Sequence, residues 1–136
     1  MELTEQTRWV AGILLLAIVT VESGGLYMLA LLRGKAKATP FQITFARAGH
    51  AHAGVLVILS LVIQFYADAV TTDGPLAALA RSAVPLAAIL MPAGFFFSSM
   101  GAGRSQPNRF IWLTYAGAFS LALGVLTLGL ALLLRL

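Results

Sequence analysis

Four long stretches of almost uninterrupted apolar residues divide this chain, and they constrain its fold more than any other feature. They lie at about 9–32, 42–67, 77–100 and 110–134. Each reaches the roughly 20 residues that an α-helix needs to cross about 30 Å of hydrocarbon. The sequence therefore predicts an all-α integral membrane protein, a bundle of four transmembrane helices joined by short loops.

Composition supports this fold class. Of the 136 residues, 60% are hydrophobic and only 10% are charged, whereas a soluble domain is about one-quarter charged. The short connections leave no room for a soluble domain, so we expect residues 1–136 to form a single transmembrane domain. We expect a multi-pass protein of the cell inner (plasma) membrane, surrounded by the lipid bilayer. There is no cysteine, which excludes disulfides and thiolate metal sites.

Two further patterns concern the helix ends and the helix contacts. Glu2 and Glu5 replace the basic segment of a cleavable signal peptide, so we expect the first helix to be retained. In the fourth stretch, Ala116, Ser120 and Gly124 recur every four residues. Small residues at this spacing predict that another helix approaches closely, from the same chain or from a neighbour.

The net charge of +4 is a topology signal and does not indicate nucleic-acid binding, because the basic residues are scattered at helix ends. We expect no nucleic-acid partner. The two sides of the membrane differ in their number of basic residues. The side with the first and third connections has six, Arg33, Lys35, Lys37, Arg47, Arg104 and Arg109, and the side with both termini has three, Arg8, Arg81 and Arg135. The positive-inside rule then places both termini outside.

Three ionisable residues fall inside the apolar stretches: Glu22, His50 and His52. Each costs about 2.5–3.5 kcal/mol on insertion scales, so each is a candidate functional residue. Glu22 must be protonated, paired or hydrated, and the following Ser23-Gly24-Gly25 thins the helix enough to admit water or a close neighbour. Proton conduction, ligand pairing and a hydrogen-bonded structural role all stay open for Glu22.

The two histidines are the only ones in the chain, and they are separated by a single alanine. Two residues along a helix rotate the side chain by about 200° and change its depth by about 3 Å. We therefore expect His50 and His52 to point to opposite faces and not to bind one metal ion together.

Small residues lie one turn from each ring: Ala46, Ala53 and Gly54 near His50, and Ala48 and Gly49 near His52. They would leave a slot for a flat macrocycle, or they would serve close helix packing. Haem or metal ligation, proton transfer and a structural role are the three alternatives for the histidines.

The sequence His50-Ala51-His52, at the start of the second of four membrane helices, resembles the large subunit of the haem-copper oxygen and nitric-oxide reductase superfamily. That subunit contains three arcs of four helices, and a His-x-His pair in the third arc ligates two haems on the two faces of one helix. The resemblance covers helix two and the basic loop before it, about one-fifth of the chain. It implies that His50 and His52 ligate the iron of a b-type haem, with Arg47 and Gly54 also at the cofactor and Arg47 able to pair with haem propionates. The chain has no further histidines for the copper site of that family.

The leading hypothesis from the sequence is a membrane-embedded b-type haem-binding protein that acts in electron transfer or a related redox role. A homo-oligomer is implied, with a trimer favoured because three copies would recreate the twelve-helix ring, and a haem between neighbours would take His50 from one chain and His52 from the next. No residue is assigned a catalytic role, and no redox partner is indicated. The alternatives are a small proton or metal-ion transport or channel subunit that uses Glu22 and the histidines, and a structural accessory subunit of a respiratory complex.

Overall fold

The computed structural model describes residues 2–70 and 74–134, which form four α-helices and no strands. The helices are α1 (Glu5–Leu32), α2 (Pro40–Ala69), α3 (Pro75–Ser99) and α4 (Ile111–Leu134). Each is long and apolar enough to cross a bilayer. The predicted fold class is therefore confirmed, and the chain is a multi-pass membrane protein. Arg135, counted among the basic residues above, lies outside the described residues.

Polar caps extend two helices beyond the apolar stretches from which they were predicted. α1 begins at Glu5 because the Thr4 hydroxyl accepts a hydrogen bond from the Thr7 backbone N–H, at 3.2 Å. α2 begins at Pro40, after a capping box in which the side chains of Thr39 and Gln42 each accept from the other's backbone N–H. Such caps satisfy backbone donors that have no partner within the helix.

Each helix packs mainly against its neighbours in the chain, and α3 is the central element. α3 packs most extensively against α4 and next against α2, whereas α1 packs mainly against α2. The core lies among α2, α3 and α4 and contains Ile63, Ala80, Val84 and Leu128. In α1 only Thr7 and Leu14 are buried, so α1 is the helix whose surface the chain covers least.

Small residues bring α3 and α4 into close contact. Ser120 and Gly124 are buried, and the Ser120 hydroxyl donates a 2.8 Å hydrogen bond to the Ala83 carbonyl. Ala116 is exposed, and Gly117 lies in the contact instead, against Leu90 and Met91. The predicted stripe is thus correct at Ser120 and Gly124 and wrong at Ala116, because the buried residues of α4 recur at steps of three as well as four residues. The partner helix is α3 of the same chain.

A largely buried ion pair joins three helices at one end of the bundle. The Asp68 carboxylate, whose side chain is 3% exposed, accepts from an Arg81 guanidinium nitrogen at 2.8 Å. It also accepts from the hydroxyl groups of Thr4 and Thr7, at 2.9 and 2.8 Å. The Arg81 side chain is therefore held inside the bundle by these contacts and does not reach out to the lipid headgroups. This cluster fixes α1, α2 and α3 relative to one another.

A second polar contact joins α2 to the connection between α3 and α4 at the opposite end. The Thr39 hydroxyl donates to the Arg104 carbonyl, and the Gln42 side-chain amide donates to the carbonyls of Ser99 and Gly101. The connection from α1 to α2 and the connection from α3 to α4 therefore lie together. They carry five of the six basic residues that were assigned to one side of the membrane.

We expect Asp68→Ala to lower the free energy of unfolding by up to about 3 kcal/mol, because the largely buried Arg81 side chain would then lack its counter-charge. Thermal unfolding in detergent, followed by circular dichroism, measures this change. Glu2→Gln is the control, since an exposed substitution of this kind alters stability by less than about 0.5 kcal/mol. Equal stability of the two variants would show that the ion pair does not hold the helices together.

We also expect Gly94→Ala to destabilise the protein far more than Gly129→Ala. A Cβ atom at Gly94 would overlap the backbone nitrogen and the hydroxyl of Thr114, whereas a Cβ atom at Gly129 would meet no atom within 4 Å. Rotation of a side chain cannot relieve overlap with a backbone atom, so the two helices would have to separate. The melting temperatures of the two variants in the same detergent test this expectation, and similar values would contradict the close α3–α4 contact.

Candidate functional site

A cavity of about 400 Å³ lies among α1, α2 and α3, and His50 lines it. Its walls are almost entirely apolar, with the imidazole of His50 and the hydroxyl of Thr20 as the polar side-chain groups. Along α1 the lining extends from Val10 to Gly24, a distance of about 21 Å at 1.5 Å per residue. A large apolar pocket with few convergent polar groups is the usual form of a ligand site.

His50 is placed by two glycines of α1. A Cβ atom at Gly24 would lie 3.1 Å from the His50 Nδ1 atom, and a Cβ atom at Gly25 would lie 3.6 Å from the ring. Any larger residue at position 24 would therefore displace the imidazole. The sequence Ser23-Gly24-Gly25 was expected to admit water or a close neighbour, and the neighbour in the structure is the His50 ring. In residues 2–70 and 74–134, neither ring nitrogen of His50 has a hydrogen-bond partner, and the ring edge that carries both nitrogens faces Gly24 and Gly25.

His52 is held in a different way, by its own helix and by α3. Its Nδ1 atom lies 2.7 Å from the Ala48 carbonyl oxygen, one turn earlier in α2. Because a carbonyl oxygen only accepts, Nδ1 carries the hydrogen, and in the neutral ring Nε2 holds the lone pair. The His52 ring packs against the Phe95 ring, with centroids 5.0 Å apart. A backbone carbonyl on the other ring nitrogen is the usual environment of a metal-ligating histidine.

The two histidines lie on different sides of α2, as the spacing predicted. His50 contacts α1 and lines the cavity together with Phe96, whereas His52 contacts Phe95 on the other flank. They do not share one binding position within a single chain. Across the part of the chain that the structure describes, no group of three or more metal-ligating side chains of His, Cys, Asp or Glu comes together.

The small residues around the histidines serve helix packing more than they leave open slots. A Cβ atom at Gly49 would lie 3.0 to 3.2 Å from the side chains of Phe95 and Phe96, so this glycine lets α3 approach α2. A Cβ atom at Gly54 would lie 3.9 Å from the Val21 side chain of α1. Ala53 is the exception, because it lines the cavity beside His50.

Glu22 and Arg47 lie outside the His50 cavity. Glu22 is exposed on α1, and because Gly24 and Gly25 lie opposite His50, its depth in the membrane is close to that of His52. Arg47 is exposed and lines a separate pocket of about 220 Å³. The structure therefore does not bring Glu22, Arg47 and His50 together in one chain.

Two prolines of α3 line the cavity, and sequence reasoning had given them no role there. Proline lacks an N–H group, so Pro85 and Pro92 deprive the carbonyls of Arg81 and Ala88 of their helical donors. The Gln64 side chain, which is fully buried, donates to the Arg81 carbonyl at 2.9 Å. No described side chain donates to the Ala88 carbonyl, and Ala88 lines the cavity. The proline at position 92 is the feature of the sequence from which the free carbonyl of Ala88 could have been predicted.

Comparison with known proteins gives no relative: no family model, no curated protein and no solved structure matches this chain. The similarity to the haem-copper superfamily thus stays a prediction from the residues of α2.

We expect Gly24→Ala to alter the environment of His50 and to leave that of His52 unchanged. The added methyl group would displace the imidazole by a few tenths of an ångström, since 3.1 Å is shorter than an ordinary contact. The imidazole nitrogen resonances of ¹⁵N-histidine-labelled protein in detergent report each ring separately. Gly12→Ala, on the same helix but with no atom within 4 Å, is the matched control. If both variants leave the His50 resonances unchanged, the contact with α1 is absent.

Proposed function

We propose that this chain is a membrane-embedded b-type haem-binding protein in which His50 and His52 supply the iron ligands. The observation that carries the proposal is the His50 imidazole, which has no hydrogen-bond partner among the described residues and lines an apolar cavity. A neutral imidazole in apolar surroundings is the usual axial ligand of haem iron. A haem held there would supply one-electron chemistry within the bilayer.

The environments of the two histidines support this assignment. The hydrogen bond from His52 Nδ1 to the Ala48 carbonyl fixes the tautomer that leaves Nε2 free to ligate a metal. Gly24 and Gly25 limit the positions of the His50 ring, which reduces the entropy that ligation would cost. The apolar cavity walls suit a macrocycle, which is largely apolar.

The positions of the histidines on two flanks of α2 favour a haem shared between copies of the chain. A haem at His50 of one chain would need a second ligand from elsewhere, and His52 of a neighbouring chain would provide it. The exposed Glu22 also favours an assembly, because a carboxyl group near the middle of the membrane is costly against lipid. We propose a cyclic homo-oligomer, with a trimer as the preferred state.

The transport hypothesis receives less support from the same geometry. A path for protons or metal ions within one chain would need Glu22 and the histidines in one continuous cavity. Glu22 does not line the cavity that contains His50, and His52 faces the opposite flank of α2.

If one haem is shared, either His50→Ala or His52→Ala should convert a six-coordinate low-spin haem to five-coordinate or empty sites throughout the oligomer. Assembly should weaken together with haem content, because a bound ligand stabilises only the assembled form. Absorption spectra and size-exclusion chromatography of the purified variants measure both effects. Thr20→Val, which changes the other polar side chain of the cavity without removing an imidazole, should keep the wild-type spectrum.

Other outcomes distinguish the arrangements. If each histidine holds its own haem, each single variant should lose half of the haem and keep an unchanged spectrum for the rest. Wild-type protein that purifies without haem at any stoichiometry would contradict the proposal and favour the transport hypothesis.

A further inference from the structure

Basic residues occur at both ends of the bundle, whereas the acidic residues are absent from one of them. Among the described residues, the end of the bundle that contains the α1–α2 and α3–α4 connections has no acidic side chain. The five acids of the sequence are at positions 2, 5, 22, 68 and 73, and the last of these lies outside the described residues. The same end has exposed basic side chains, among them Arg33, Lys35 and Lys37. The positive charge at this end is therefore not neutralised within the chain.

Arg47 differs from these surface residues in its depth. It lies seven residues after the start of α2 at Pro40, about 10 Å along the helix axis. α2 has 30 residues and is about 45 Å long, so its first turns extend beyond the roughly 30 Å of hydrocarbon. The guanidinium of Arg47 can therefore reach the level of the lipid phosphates. Within the described residues, Arg47 has no acidic or hydrogen-bonded partner.

The walls around Arg47 are apolar. The pocket of about 220 Å³ that it lines is completed by Met28, Leu31 and Leu32 of α1 and by Ile43 of α2. An isolated guanidinium above an apolar groove is complementary to a molecule with an anionic head and an alkyl chain. The shape and the charge thus point to the same class of ligand.

We propose that Arg47 and this groove bind an anionic phospholipid, with the phosphate on the guanidinium and an acyl chain along Met28, Leu31 and Ile43. A second copy of the chain would be a poorer occupant. Its exposed mid-membrane acid, Glu22, would lie about six residues deeper than Arg47, a distance of about 9 Å along the membrane normal. The proposal is independent of the haem proposal, because Arg47 does not line the His50 cavity.

Native mass spectrometry of the full chain in detergent tests the proposal, with phosphatidylglycerol and phosphatidylcholine as probes of equal chain length. The wild-type protein should retain phosphatidylglycerol preferentially. Arg47→Gln should reduce this preference by roughly fivefold, the effect expected of one basic residue at the phosphate level. Lys37→Gln, an exposed basic residue of the same end that does not line the groove, should keep the wild-type preference. Circular dichroism melts establish that both variants remain folded.

Three outcomes would overturn the proposal. Equal reductions in Arg47→Gln and Lys37→Gln would show a general electrostatic attraction without a site. Displacement of phosphatidylglycerol by inorganic phosphate at millimolar concentration would show an anion site that does not recognise the lipid. Loss of haem from Arg47→Gln, with lipid retention unchanged, would place Arg47 at the cofactor.

Discussion

Hydrocarbon offers no hydrogen-bond partner, and the polar contacts of this structure follow from that constraint. Most backbone groups are satisfied within the four helices, and polar side chains between the helices supply partners to some of the others. Gln64 donates to a carbonyl that Pro85 leaves without a helical donor, and Asp68 neutralises the largely buried Arg81. These contacts fix the relative positions of α1, α2 and α3, and hence the cavity among them.

Against this background, three ionisable side chains that lack partners among the described residues become informative. His50 faces the cavity, Glu22 faces outward near the middle of the membrane, and Arg47 lies near the phosphate level. A group of this kind carries a cost that folding of the chain does not offset. The three groups lie on different surfaces, which suggests three different partners: a cofactor, a neighbouring chain and a lipid.

Sequence reasoning anticipated the features that depend on one helix at a time. The length of the apolar stretches predicts four spanning helices, and the helical repeat predicts that His50 and His52 point apart. The contacts of His50 with Gly24 and Gly25, and of Gly94 with Thr114, depend on the rotation and register of two helices against each other. No periodicity within one helix contains that information, which is why Ala116 was placed in the α4 contact and Gly117 was missed. The caps at Thr4 and Thr39 lie outside the apolar stretches, so hydropathy did not reveal them.

Whether the imidazole pair of α2 binds haem can be decided from the pyridine haemochrome spectrum of the wild-type protein. The protein should be purified in mild detergent from cells supplied with a haem precursor, and haem should be compared with protein by amino-acid analysis. We expect a b-type spectrum with one haem per chain, which is the content that results if each haem is shared between His50 of one copy and His52 of the next. A haem content of zero under these conditions would contradict the claim, and two haems per chain would contradict the shared arrangement.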